Sequence, residues 1–210
     1  MVNKKWLYDF PKIGPYLRKL KYKKTFELLE SGEVAIDCGA NVGKVTRSMA
    51  VSRATVYAFE PDPNAFKLLV ENAKEFSNVI CLNKAVSDHN GVEKIYFKNK
   101  YEEDPAKWST GSTLLKDKPD INTEHFKECE VVDLAEFIEN LNKPIGLLKL
   151  DIEGEEVKVL NKLIDLDLYK RIRNIVAETH ERFPTLRKQT EELKRRIRSK
   201  GIKNIDLEWA

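Results

Sequence analysis

Residues 34–43 read VAIDCGANVG: an apolar run, Val34-Ala35-Ile36, ends on Asp37, and a glycine and asparagine turn closed by Gly43 leads into a helix-compatible stretch. A β-strand that feeds straight into a helix leaves free backbone N–H groups at the turn, and glycines let a ligand approach that backbone closely. The wording of the turn bears on the ligand. A pyrophosphate is usually cradled by G-x-G-x-x-G, whereas here only Gly39 and Gly43 stand around Ala40, Asn41 and Val42. The pattern suits an adenosine cofactor without phosphates, and S-adenosylmethionine is the one expected.

Beyond this strand the pattern alternates. Short apolar runs at 56–59 (VYAF), 79–82 (VICL), 145–150 (IGLLKL), 174–179 (NIVAET) and 202–207 (IKNIDL) read as strands, with helical stretches between most of them. The stretch 61–76 opens on Asp62 as N-cap and Pro63 at the first helical position, with Phe66, Leu69, Val70 and Ala73 on one face. Asp133 and Glu136 make a capping-box pair ahead of Leu134, Phe137, Ile138 and Leu141. Helices are expected over 155–164, with Val157, Leu160 and Ile164 in phase, and over 185–199, where Leu186, Leu193 and Ile197 form a narrow stripe on a charged helix. Alternation of this kind predicts a doubly wound α/β sandwich.

One region breaks it. Between residues 88 and 132 lie a hairpin-like HNG turn (89–91), a β-like VEKIYF, a polar stretch of about thirty residues and then ECEVVD, an insertion before the fourth core strand. Trp108, Ser109, Thr110, Gly111, Ser112 and Thr113 gather small hydroxyls beside an aromatic there, and Trp108, Ser109 and Ser112 are candidate acceptor contacts.

Composition narrows the class. A chain of 210 residues with 41% hydrophobic content supports one core. No secretory h-region and no apolar run of transmembrane length is visible, so a cytoplasmic protein is expected. Cys38, Cys81 and Cys129 lack ligand spacing and read as reduced thiols. Residues 1–24 hold eight Lys or Arg against Asp9, with Trp6, Tyr8, Phe10, Tyr16 and Tyr22 interleaved. This segment, taken with residues to 29, is expected to be a basic helical cap or an arm that contacts a membrane surface. The remainder, 30–210, is expected to form one domain built around the 34–43 turn.

In an open α/β sheet ligands bind at the carboxyl ends of the strands. Strand one ends in Asp37. Strand two ends in AFEPD, with Glu60 at the spacing from which a carboxylate accepts ribose hydroxyls. Asn83 and Ala85, after strand three, are candidates for the adenine edge. Strand four ends in KLDIEGEE, where alternation puts Lys149, Asp151 and Glu153 on one side, and strand five adds Glu178 and His180. Asp151, Glu153 and His180 are the candidate proton acceptors. No metal is expected, although Asp151, Glu153 and Glu178 make an oxygen cluster of the kind divalent ions take.

Taken together, DCGANVG, AFEPDP, NKAVSD, STGSTL, VVDL, KLDIEGEE and IVAETHE resemble, in this order, the FkbM-type S-adenosylmethionine-dependent methyltransferases over roughly residues 30–208. The resemblance implies a Rossmann-like, mostly parallel, seven-stranded sheet and O-methylation of a hydroxylated small molecule, sugar or polysaccharide. It places Asp37, Gly39, Asn41 and Gly43 at the methionine end of the cofactor and Glu60 on the ribose. Lys149, Asp151, Glu153 and Glu178 then surround the transferring methyl. Cys38 stands where an aliphatic residue is more usual. Two rival readings are a nucleic-acid methyltransferase, suggested by Arg187, Lys188, Lys194, Arg195, Arg196, Arg198 and Lys200, and a non-catalytic partner module. The N/D-P-P-Y/F/W tetrapeptide that flattens a base in amino-group methylases does not occur.

Overall fold

The computed structural model describes residues 25–99, 101, 111–118 and 121–209. The basic segment 1–24, Trp108 and Ser109 lie outside the described residues. In chain order the elements are β1 (Val34–Cys38), α1 (Lys44–Ala50), β2 (Thr55–Phe59), α2 (Pro63–Ala73), β3 (Val79–Leu82), β4 (Ala85–Ser87), β5 (Gly91–Lys98), β6 (Ile121–Asp133), α3 (Leu134–Asn140), β7 (Ile145–Leu150), α4 (Glu156–Asp165), β8 (Ile172–Ala177), α5 (Pro184–Ser199) and β9 (Ile205–Asp206).

The main sheet runs β3-β2-β1-β7-β8-β9, with every pairing parallel. β1 and β7 are buried at every residue because helices cover both faces, the environment that selects continuous apolar runs. Side-chain alternation divides β1 between two cores. Val34, Ile36 and Cys38 face a cluster that takes Leu134 and Ile138 from α3, Leu160 and Leu163 from α4, and Leu193 and Ile197 from α5. Ala35 faces the other side with Met49 of α1, Val56 and Leu147. Strand order reverses between β1 and β7, so the ligand-binding crevice of the doubly wound fold belongs at the ends of these two strands.

Two helices, α2 and α3, start on side-chain caps. Asp62 accepts from Asn64 N at 2.9 Å with Pro63 at the first position of α2. Asp133 accepts from Ala135 N and Glu136 N at the start of α3. The reciprocal half of that capping box is replaced. The Glu136 carboxylate is taken by Asn90 Nδ2, and Asp133 N donates instead to Asn90 Oδ1. Val70, expected on the buried face of α2, is 44% exposed, and Ala65, Leu69 and Ala73 make the contact.

The expected seventh strand is not found among the described residues; the main sheet has six. The sequence pattern itself offers six apolar runs, and the seventh comes only with the resemblance. The insertion forms a second, three-stranded sheet in the order β4-β6-β5, parallel between β4 and β6 and antiparallel between β5 and β6. HNG therefore joins β4 to β5 with β6 lying between them, rather than closing a two-stranded hairpin. β6 is longer than ECEVVD suggests. From Thr123 to Glu128 its residues are exposed, so it carries polar side chains that read as loop.

Candidate active site

Asp37 ends β1 wholly buried. Its Oδ2 accepts from Thr46 Oγ1 of α1 at 2.7 Å, and its Oδ1 lies 3.1 Å from Lys149 Nζ. Parallel register sets Lys149 of β7 opposite Asp37, and the ammonium also donates to Gly39 O at 2.7 Å and Cys38 O at 3.2 Å. Burial alone would strip this ammonium of its proton, but the Asp37 and Asp151 carboxylates more than reverse that and push it above its ordinary value. Lys149 is thus a fixed cation bracing the turn. Burial, with the Asp37 charge, likewise pushes the Cys38 thiol up, so it stays protonated.

Gly39 is required by crowding. It sits at φ +75°, Asp151 N donates to Cys38 O at 3.1 Å, and a Cβ at Gly39 would lie 1.8 Å from Asp151 O. Here the ends of the two central strands cross in contact. Gly39→Ala is expected to cost about 3 kcal/mol or more, combining left-handed backbone strain with overlap that neither strand end can relieve, as urea denaturation would show. Gly43, at φ +85°, caps α1, and a Cβ there would come 2.8 Å from Leu69 Cδ1.

Glu60 follows β2 and is buried. Its Oε2 accepts from Asn41 N at 2.7 Å and its Oε1 from Asp62 N at 2.9 Å. Burial outweighs these bonds and pushes the carboxyl up to about 8. Asn83, expected at the adenine edge, turns inward instead, its Nδ2 donating to Glu60 O at 2.8 Å and Pro61 O at 3.2 Å.

KLDIEGEE folds into a tight turn after β7. Glu156, fully buried, accepts from Ile152 N at 2.7 Å and Gly154 N at 2.9 Å, closing the turn with its own side chain. His180, at 1% side-chain exposure, lies beneath it. Nδ1 is 3.2 Å from both Glu178 O and Glu156 Oε1, while Nε2 is 3.0 Å from Glu153 Oε2, 3.8 Å from Glu178 Oε1 and 3.9 Å from Asp151 Oδ1. Both ring nitrogens face acceptors. Burial opposes the imidazolium, yet its hydrogen bonds to Glu153 and Glu156 push it up to about 10. Burial would raise Glu153 as well, but the His180 hydrogen bond and the Lys118 charge hold it down at about 2. Glu178 is pushed up by burial and by Asp151, against His180 and Arg182, whose Nη1 donates to Glu178 Oε1 at 3.1 Å. Asp151, 29% exposed, has only longer side-chain pairs among the described residues, 3.6 Å to Lys149 and 3.9 Å to His180.

A cavity of about 270 Å³ opens over these strand ends, lined by Gly39, Asn41, Phe59, Glu60, Lys84, Ala85, Val86 and Ile95 toward β1 to β5, and by Gly111, Ser112, Thr113, Asp151, Glu153, Glu178 and Arg182 toward β7 and β8. It gathers Gly39, Asn41, Glu60, Ala85, Ser112, Asp151, Glu153 and Glu178 as expected from sequence. Asp37, Gly43, Asn83, Lys149 and His180 stand behind the wall and support it. Asn41 (φ 49°), Glu153 (φ 59°) and His180 (φ 51°) are all non-glycine residues in the left-handed region. Such strain costs about 1–3 kcal/mol each and concentrates at functional sites. Asp151, Glu178 and His180 bring one carboxylate or ring atom each within 4.8 Å of the others, but the His180 nitrogens are already turned to Glu153 and Glu156. Sequence reading missed Thr46, Glu156, Lys118 and Arg182. The adjacent acids of EGEE at a helix start were the signal for Glu156; nothing in the polar insertion marked Lys118.

The cavity suits S-adenosylmethionine chemically. Its apolar floor of Phe59, Ala85, Val86 and Ile95 matches an adenine, Glu60 matches a diol, and the surplus of carboxylates matches a sulfonium and an ammonium.

Comparison with known proteins gives the family. The Methyltransferase FkbM domain family matches residues 37–203. The 31-O-demethyl-FK506 methyltransferase FkbM of Streptomyces tacrolimicus is 33% identical over 178 residues, covering 73% of this chain and 67% of that protein. The hexuronic acid methyltransferase AglP of Haloferax volcanii is 27% identical over 157 residues, covering 73% of this chain and 59% of its own length. Among solved structures, precorrin-6y C5,15-methyltransferase from Geobacter metallireducens aligns over 85% of this chain and 69% of its own, with a TM-score of 0.45 and 14% identity. The chain belongs to the FkbM methyltransferase family.

Proposed function

We propose that this chain transfers the methyl of S-adenosylmethionine to a hydroxyl of a sugar-containing or related small natural product. The observation that carries this reading is the division of one cavity between a diol-reading carboxylate, Glu60, and a cluster of carboxylates, Asp151, Glu153 and Glu178, at the far end. The activities for which the two relatives are named, on an FK506 derivative and on a hexuronic acid, support the acceptor class.

When bound, the cofactor would supply an electrophilic methyl on a sulfonium for an acceptor oxygen, with S-adenosylhomocysteine as the leaving product. Glu60 holds the ribose, with Gly39 and Asn41 along the methionine. An alcohol is a weak nucleophile at neutral pH, so a residue of the chain takes its proton during transfer. Glu153 is committed to Lys118 and His180, and His180 to Glu153 and Glu156. Asp151 is the proton acceptor in this reading, since it lines the cavity with only long side-chain pairs among the described residues. Ser112 and Arg182 at the mouth contact the acceptor. The nucleic-acid reading is weakened by the pairing of its basic helix: Lys194 with Glu181, Arg195 with Glu192 and Arg196 with Asp165.

The test is calorimetric titration with S-adenosylmethionine and S-adenosylhomocysteine, followed by transfer of labelled methyl to hexuronic acid glycosides and hydroxylated macrolactones. Micromolar binding with label on an acceptor oxygen is the expected result. Binding with label only on RNA, or on nothing offered, would move the reading to one of the rivals.

A further inference from the structure

The polar insertion sends one lysine into the site. Lys118 is 3% exposed at its side chain, donates to Gly111 O at 3.2 Å, pairs with the Glu153 carboxylate and lies 5.4 Å above the Phe183 ring. Burial pulls its proton affinity down, with Glu153 opposing the pull. A buried ammonium is costly unless a counter-ion meets it, so the pair is retained only where both elements are held together.

Two further contacts join the same two segments, and a third holds the insertion side in place. Thr113 Oγ1 donates to Glu153 O at 2.8 Å and accepts from Leu115 N at 3.1 Å. Leu115 sits so close over the turn that a Cβ at Gly154 would come 2.2 Å from its Cδ1. Glu153 and Gly154 both hold positive φ, and Gly111 does too. The strained turn that follows β7 is therefore over-determined from the insertion side as much as from β7 itself.

We propose that Lys118 is a positioning residue of the methyl-transfer site, fixing the Glu153 carboxylate and its turn so that order in the 111–118 segment and the placement of Asp151 beside the cavity are set together. The inference rests on the methyltransferase reading for its catalytic consequence alone. Lys118 stands behind the residues that line the cavity and acts through Glu153. The cavity's acceptor end is thereby built jointly by Ser112 and Thr113 from the insertion and by Asp151 and Glu153 from the core.

Hydrogen exchange read by mass spectrometry on the unliganded full chain tests the coupling without an acceptor. In Lys118→Met, peptides covering 111–118 and 151–156 are expected to exchange at least about tenfold faster together, while β3 and α2 keep parent rates, and Lys118→Arg is expected to restore most of the protection. Faster exchange confined to 111–118 would overturn the proposal, because Lys118 would then pin only its own loop. Should Lys118→Met fail to fold, Glu153→Gln gives the same reading from the other partner: joint loosening supports the proposal, and unchanged 111–118 protection overturns it. With an acceptor in hand, Lys118→Met should lower kcat more than about tenfold while S-adenosylhomocysteine affinity stays within about threefold. Unchanged kcat would overturn the positioning role. Absence of any cofactor binding by the parent chain would instead defeat the methyltransferase reading and leave the exchange result standing.

Discussion

Glu60→Ala is expected to weaken S-adenosylmethionine binding by about 100-fold. Two hydroxyls donating to one buried carboxylate make charge-assisted hydrogen bonds worth about 1.5–3 kcal/mol each, and losing even the lower value twice removes about two powers of ten in affinity. The substitution also leaves Asn41 N and Asp62 N without the acceptor they share. Glu60→Gln separates the two effects, since the amide oxygen can keep one of those backbone donors. The pH dependence is a second signature. The folded chain holds this proton up to about 8, whereas an exposed glutamate releases it near 4.5. The stability contributed by the protonated group is thus fully present below 4.5 and is lost as pH rises toward 8. Ribose hydroxyls favour the ionised form, so parent affinity should strengthen as pH rises toward about 8 and level off above it. In Glu60→Gln the profile should be flat over that range. Calorimetry across pH decides it; a flat parent profile would remove Glu60 from the cofactor.

Part of this site was written in the order of the chain because Gly39, Glu60, Asp151 and Glu178 each follow directly on a strand of the main sheet. Once VAIDC and IGLLKL read as central strands, their parallel register put Asp37 beside Lys149 and their carboxyl ends put Gly39 against Asp151. What the pattern could not give was depth. Periodicity assigns a face but not a layer, so Lys149 and His180 looked like contacts of the reacting groups and are found behind them, bracing the turn after β1 and the turn after β7. Asn83 is the same case: a polar residue at a strand end can serve a ligand or the backbone, and here it serves the carbonyls of Glu60 and Pro61. The first half of β6 escaped notice for a different reason. It faces solvent and pairs through backbone bonds that leave no hydrophobic trace, so only the ECEVVD end of the strand that organises the second sheet stands out from the polar stretch. Lys118, carried in the same insertion, meets Glu153 through a long-range fold that no local spacing encodes.

The second large effect belongs to Asp151. Asp151→Asn keeps the shape of the side chain and removes its capacity to take a proton, and loss of a positioned general base lowers turnover by about 10²–10⁴-fold. The neighbouring charges decide why this residue, of the four acids around His180, bears that weight. Glu156 spends both oxygens on Ile152 N and Gly154 N, and Glu153 is occupied by Lys118 and His180, which hold it ionised. Glu178 is raised by burial and by Asp151 itself, and Arg182 occupies one of its oxygens. Asp151 lines the cavity, has no charged partner closer than 3.6 Å among the described residues and sits where β7 crosses Gly39. Cofactor affinity in Asp151→Asn should fall less than about tenfold, since the ribose contact at Glu60 is untouched, so the deficit should appear in kcat rather than in KM for S-adenosylmethionine. Single-turnover transfer at saturating cofactor measures it directly. If Asp151→Asn kept parent kcat while Glu178→Gln lost it, the proton would go to β8 rather than β7, and the acceptor would have to lie on the Arg182 side of the cavity.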